Sequence, residues 1–343
     1  MLEIFPYQVI KEKHYFSLED RNTLYRLLYR FLANVKKLLN LRKVFKYFRV
    51  FNKTINFLED SYSKNILIRI MVANIYGFKN ILVSPKVYEF WNKISVDFFL
   101  KLKQEKETLI TGGYDLHLYD LDKINFPLKL FNNDEFIGTI FQLQQYKYNH
   151  KKVIEVNERD VVIDGGGCFG ETALYFATRV GNLGRVYTFE FIDSNIKILQ
   201  KNLNLNPELK HIVELIEFPL WCKSNQNMYI IEDVWGSKIE FQPSKKSSKI
   251  VKTLSIDDFV KMNGIQKVDF IKMDIEGGEF DALLGAKETL ARFKPKLAIS
   301  VYHDLKHYYQ IPKFLNSLNL NYKFYLDHFA MKRTESVLFA VVE

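Results

Sequence analysis

The second half of the chain is patterned in alternating blocks. Apolar runs at 161–164, 185–191, 212–218, 268–274 and 297–302 are strand-length and bounded by turn residues, so they read as buried strands. Between and after them, at 171–180, 194–204, 278–292 and 305–318, apolar positions recur at helical spacing. Two closing strands, 322–329 and 336–342, are joined by a short loop. Strands that alternate with helices need crossover connections, which predicts a parallel sheet with helices on both faces. The closing pair adds an antiparallel edge strand. The expected fold class is therefore α/β, a Rossmann-like seven-stranded and mostly parallel sheet. A polar piece, 223–252, interrupts the alternation and reads as a hairpin with a flexible tip at Ser244–Lys249.

The first half is patterned differently. From Tyr7 to Tyr76 there is neither glycine nor proline, which favours helix. Leu24, Leu27, Leu28, Phe31, Leu32 and Val35 recur at helical spacing with Arg26, Arg30 and Lys36 between them. A turn-rich zone follows around Gly112, Gly113 and Pro127, and 139–149 leads into the alternating half. Two units are expected: a mainly helical region, 1–138, serving substrate recognition or oligomerisation, then a catalytic domain, 139–343. Oligomeric state is not legible.

Composition narrows the class. Apolar residues make up 48% of the 343 and aromatics 15%, which excludes a disordered chain. Cys168 and Cys222 are the only cysteines, too few for a disulfide framework or a zinc site. No signal peptide opens the chain and no apolar run reaches the roughly 18 residues of a membrane span, so a reduced, cytoplasmic protein is expected. The net charge of +9 is local: 21–53 holds ten Lys or Arg and no Asp or Glu, while the remainder carries 39 basic against 40 acidic residues. That stretch suits an anionic acceptor, or peripheral contact with an anionic membrane, as well as a solvated helix face.

Candidate chemistry begins at 161–190, VVIDGGGCFGETALYFATRVGNLGRVYTFE. Gly165, Gly166, Gly167 and Gly170 let the backbone turn tightly and approach a ligand. Glu190, ending the next strand, can accept both hydroxyl hydrogens of a ribose. These glycines also fit the G-x-G-x-x-G of dinucleotide enzymes, so they do not name the cofactor. Asp164 separates the two readings, because a carboxylate at the loop's mouth opposes a pyrophosphate and suits a cation. S-adenosylmethionine carries an ammonium and a sulfonium, and seven strands ending in an antiparallel pair suit a methyltransferase better than a six-strand dehydrogenase.

A second strand, VDFIKMDIEGGEF at 268–280, ends in Asp274 and Glu276 beside that loop, because ligands of open α/β sheets bind at the carboxyl ends of strands. Glu279 is accounted for by the helix dipole.

With these stretches in hand, the chain resembles the FkbM family of S-adenosylmethionine-dependent O-methyltransferases. VVIDGGGCFGETALYFA, VYTFEFIDSNIKILQKNLNLNP, TLSIDDFV, VDFIKMDIEGGEFDALLGAKETL and KPKLAISVYHD follow the family's pattern in order and spacing. The likeness covers about 139–343; the family often has alanine where Gly167 stands. It implies a class I methyltransferase fold in which Asp164, Gly166 and Gly170 hold the methionine moiety and Glu190 the ribose, with Gly165, Gly167, Thr172 and Phe191 also at the cofactor. Leu220 and Trp221 would lie along the adenine, and Gln145 and Tyr146 would close over the cofactor. For acceptor it implies a hydroxyl on a bacterial surface sugar, nucleotide sugar, lipid-linked glycan or secondary metabolite.

A sugar hydroxyl needs help to lose its proton near neutral pH. His303, at the end of the fifth strand, is the first candidate base and Asp274 the second. The alternative is a divalent cation held by Asp274, Glu276 and His303. Two rival functions are weaker. A nicotinamide oxidoreductase rests on the glycine pattern alone. A nucleic-acid methyltransferase rests on the basic stretch, and the strand ending MDIEGGE lacks the Asn/Asp-Pro-Pro-aromatic motif used on exocyclic amines; nucleic acid is not the expected partner.

Overall fold

A computed structural model describes residues 41–111, 113–233, 236–240 and 249–343. The basic stretch from Arg21 is described only from Leu41 onward, and most of the Ser244–Lys249 tip also lies outside the described residues.

Seven strands form the central sheet. They are β4 (Val161–Gly165), β5 (Arg185–Phe189), β6 (Val213–Ile216), β10 (Phe270–Met273), β11 (Lys296–Ser300), β12 (Tyr322–His328) and β13 (Ser336–Val342). Their order is β12-β13-β11-β10-β4-β5-β6, and only β13 is reversed, running antiparallel to both β11 and β12. The chain reverses its direction of winding between β4 and β10, so a cleft opens there at the carboxyl ends of the strands. The sequence pattern predicts this sheet because β4, β10 and β11 are almost wholly buried and correspondingly apolar.

Helices α4 (Glu171–Val180), α5 (Asp193–Asn204) and α9 (His307–Ser317) lie near their expected bounds, whereas α6 (Ile256–Met262) was not foreseen. The helix expected over 278–292 is two, α7 (Glu279–Leu284) and α8 (Lys287–Phe293). The break is tertiary in origin. Gly285 sits against the Trp221 carbonyl, where any Cβ would collide, and its own carbonyl accepts the Asp257 N–H at 2.9 Å. The expected hairpin in 223–252 is instead a three-stranded antiparallel sheet of β7 (Asn227–Asp233), β8 (Gly236–Glu240) and β9 (Lys249–Lys252).

Before the sheet, α1 (Leu41–Thr54) and α2 (Ser61–Tyr76) are helical as expected, and Asp60 caps α2 by accepting the Ser63 N–H at 2.8 Å. The zone read as turns contains a second antiparallel sheet, β1 (Lys103–Thr111), β2 (Tyr114–Asp120) and β3 (Lys129–Asn132). β3 is stapled to α5 by Asn202, whose side chain both accepts the Phe131 N–H and donates to its carbonyl. Leu67 and Ile70 of α2 share one apolar cluster with Ile271 and Ile299, and Phe90 and Tyr119 share another with Val162 and Phe176. The N-terminal elements thus pack into the sheet's own cores. No helix among the described residues is long and apolar enough to cross a membrane.

Candidate active site

The glycine loop leaves β4 at the cleft. Gly166 has φ +82, and a Cβ there would run into the carbonyl of Asp274; a Cβ on Gly167 would strike the Thr188 hydroxyl. Glycine at these two positions is therefore required by close approach of the loop to β10 and β5. The N–H groups of Gly166 and Gly167 both donate to the Phe189 carbonyl, at 3.0 and 2.9 Å. They are not free to bind a pyrophosphate, and the buried Glu171 in the first turn of α4 opposes one further.

Asp164 does not stand at the loop's mouth. Its carboxylate is fully buried, accepts the hydroxyls of Thr172 and Thr188 at 2.8 and 2.9 Å, and lies 3.0 Å from Lys272 Nζ. The pattern of residues gives no direction for a side chain at a strand's end, and this one turns under the loop. Thr172 turns inward with it. Lys272, unremarked in the sequence, is the centre of this arrangement. Its ammonium also donates to the carbonyls of Gly165 (3.0 Å) and Gly166 (2.6 Å), so its three protons meet three acceptors. Burial alone would depress its pKa, but Asp164 and Asp274 outweigh that and raise it. A lysine in the buried strand FIKM was the available signal.

Glu190 ends β5 as expected. Its Oε1 accepts the N–H groups of Phe191 and Ile192, whereas Oε2 receives the Asn195 amide at 3.2 Å. Oε2 keeps acceptor capacity for a hydroxyl, which fits a ribose. Leu220 is buried against Gly165, and Trp221 is half-buried near Gly278.

Across the cleft, Asp274 accepts the phenol hydroxyls of Tyr146 (3.1 Å) and Tyr302 (3.0 Å) and lies 3.6 Å from His303 Nε2. Burial raises its pKa against the opposing pull of His303 and Lys272. His303 is flanked by acids: Glu276 Oε2 is 3.4 Å from Nε2 and Glu279 Oε1 is 2.9 Å from Nδ1. Burial would lower its pKa, but Glu276, Glu279 and Asp274 together push it up to about 11. The ring is held as imidazolium and has no free acceptor nitrogen in this arrangement, which shifts the first claim to basicity from His303 to Asp274.

Glu279 needs more than the helix dipole. It is fully buried, accepts the N–H groups of Ile275 and Gly277, and faces His303 and His307 together, which drive its pKa well down against its own burial. Among the described residues the group whose donor atoms fall within 4.8 Å of one another is Asp274, Glu279 and His303. Glu276, its side chain 77% exposed, is not in it. Gln145 and Tyr146 meet Glu335 and Asp274, and the Tyr146 ring also lies 5.3 Å from the Lys272 ammonium.

With this geometry in view, residues 164–324 match the methyltransferase FkbM domain. The crystal structure of methyltransferase FkbM from Methylobacillus flagellatus KT is 17% identical, with a TM-score of 0.53 over 86% of this chain and 59% of that one. The chain thus spans about three fifths of that protein's length. The O-methyltransferase TomG from Streptomyces achromogenes, solved with SAM, is 12% identical over 76% of this chain and 99% of that one, with a TM-score of 0.38. Aeropyrum pernix fibrillarin, with natively bound S-adenosyl-L-methionine, is 11% identical over 68% and 99%, with a TM-score of 0.36. These last two are too distant in arrangement to argue from. No curated protein matches the chain in sequence. The match thus begins at Asp164 and ends inside β12, so it takes in the glycine loop, Glu190, Asp274 and His303, while Gln145, Tyr146 and Glu335 lie outside it.

Proposed function

We propose that the chain is an S-adenosylmethionine-dependent O-methyltransferase acting on a hydroxyl of a sugar or glycan. The observation that carries this reading is the pairing, across one switch point, of a carboxylate with acceptor capacity to spare, Glu190, with a half-buried acid, Asp274, whose pKa is raised. The FkbM domain match supports it. When bound, the cofactor would supply an electrophilic methyl group, and Glu190 would hold its ribose.

The residues of the chain then have two tasks. Lys272 fixes the loop by its carbonyls, so the cofactor meets a preformed surface. Asp274 takes the acceptor's proton; Tyr146 and Tyr302 orient its oxygens, and the His303 imidazolium balances its charge. A carboxylate whose pKa is raised is a stronger base than an ordinary one.

The test is calorimetry with S-adenosylmethionine and NAD, then turnover with Asp274→Asn. Wild type is expected to bind S-adenosylmethionine and not NAD. The variant should keep that binding and lose about 10²-fold or more in kcat, the usual contribution of a positioned base. Binding of NAD alone would sink the reading; an Asp274→Asn enzyme with full turnover would remove Asp274 as base.

A further inference from the structure

The wall beyond Asp274 contains a carboxyl that the motifs leave unassigned. Glu335 immediately precedes β13, whose first residue, Ser336, accepts the Val301 N–H at 3.0 Å. This register sets Glu335 beside Tyr302 and His303, at the same end of the sheet as the cleft. Its backbone is left-handed, φ +65, which non-glycine residues seldom adopt. The loop closes over it through the Phe329 N–H, which donates to its carbonyl at 2.9 Å. Its Oε2 accepts the amide of Gln145 at 2.6 Å, and Gln145 is itself only 2% exposed.

The pair leaves acceptors over. Gln145 donates one of its two amide N–H groups to Glu335, and its side-chain oxygen has no partner among the described residues; neither has Glu335 Oε1. The neighbouring hydroxyl donors, Tyr146 and Tyr302, are already committed to Asp274. A hydroxyl, which both gives and takes a hydrogen, therefore fits this wall. We propose that Gln145 and Glu335 recognise the methyl acceptor by exchanging hydrogen bonds with a hydroxyl or ammonium next to the reacting hydroxyl, so that the acceptor presents a diol or amino alcohol here and not an anion. This rests on the methyltransferase reading of the cleft.

The electrostatics agree. The charged groups facing Glu335 are Asp274, Glu135 and His303, and His303 is committed to Asp274, Glu276 and Glu279. Burial and then Asp274 raise the Glu335 pKa to about 8, the behaviour of a carboxyl with little room for further negative charge.

The test is saturation-transfer NMR on the full chain with S-adenosylhomocysteine present. The probes are methyl glucoside, methyl 2-amino-2-deoxyglucoside and methyl glucuronide. The first two should bind about tenfold more tightly than the glucuronide, the worth of one hydrogen bond. Glu335→Gln should bring the three to within about threefold while S-adenosylhomocysteine affinity stays constant. Gln145→Ala should weaken the glucoside similarly, and it keeps the question open to test if the first variant misfolds. A glucuronide bound as tightly as the glucoside overturns the proposal; so does an unchanged ranking in both variants, or no binding by any of the three. Sugars ranked as expected without S-adenosylhomocysteine binding would instead overturn the methyltransferase reading and leave the wall intact.

Discussion

Replacing Lys272 with methionine tests the architecture beneath the glycine loop. The side chain is 1% exposed and its partner, Asp164, fully buried, so the variant leaves a carboxylate with no counter-charge in a desolvated site. Methionine fills nearly the same volume, which keeps cavity formation out of the result. Asp164 would retain only the hydroxyls of Thr172 and Thr188, both on Oδ2, and the carbonyls of Gly165 and Gly166 would lose their ammonium donor. Breaking a buried pair by removing one partner costs about 3 to 5 kcal/mol, whereas replacing both partners is often nearly neutral. Urea unfolding followed by circular dichroism should therefore show Lys272→Met destabilised by about that amount, with the Lys272→Met/Asp164→Asn double variant recovering a substantial part. A single variant within about 1 kcal/mol of wild type, or a double variant no better than the single, would refute the reasoning.

Two further outcomes follow from the same cleft. Gly166→Ala places a Cβ in the carbonyl of Asp274 at φ +82 and should cost about 2 to 4 kcal/mol in urea unfolding, together with cofactor affinity; a variant as stable as wild type would show that the loop yields. His303 has a folded pKa near 11, above its ordinary 6.5, so its contribution to stability is whole below about pH 6.5 and fades as pH rises through about 11. The stability gap between wild type and His303→Gln should accordingly narrow from pH 6 to pH 11. A ring that titrates near 6.5 by NMR would contradict the assignment.

The central sheet was legible because hydrophobic period switches cleanly between β4 and α4 and again between β10 and α7. What escaped was set by contacts distant in sequence. The break at Gly285 exists because of the Trp221 carbonyl, and nothing in EFDALLGAKETL announces it. The polar strand KQEKETLIT carries no strand alternation, so the sheet of β1 to β3 was hidden. Glu279 sits where a helix start invites an acid, which masks its role against two histidines. Glu335 opens the closing stretch ESVLFA, where the resemblance assigns no role to it. For Asp164 the expected cation contact does not follow from its position, so its charge no longer argues against a pyrophosphate. That argument passes to the spent N–H groups of Gly166 and Gly167 and to Glu171.

The inward turn of Asp164 also explains why the two walls of the cleft behave as one piece. Asp274 N–H donates to the Gly165 carbonyl at 3.0 Å, the Asp274 carbonyl is what leaves Gly166 no room for a side chain, and Lys272 grips both glycine carbonyls from below. The backbone that shapes the cofactor loop is thus the backbone that carries the acid on the acceptor side. Two residues on adjacent strands, Asp164 and Lys272, neutralise each other beneath it, which lets a charged lysine sit in a dry layer. Above that layer the Asp274 carboxylate meets an imidazolium held by Glu276 and Glu279. Any shift of the loop must therefore move Asp274 relative to His303, and positioning for methyl transfer is coupled to the loop by hydrogen bonds rather than by a hinge.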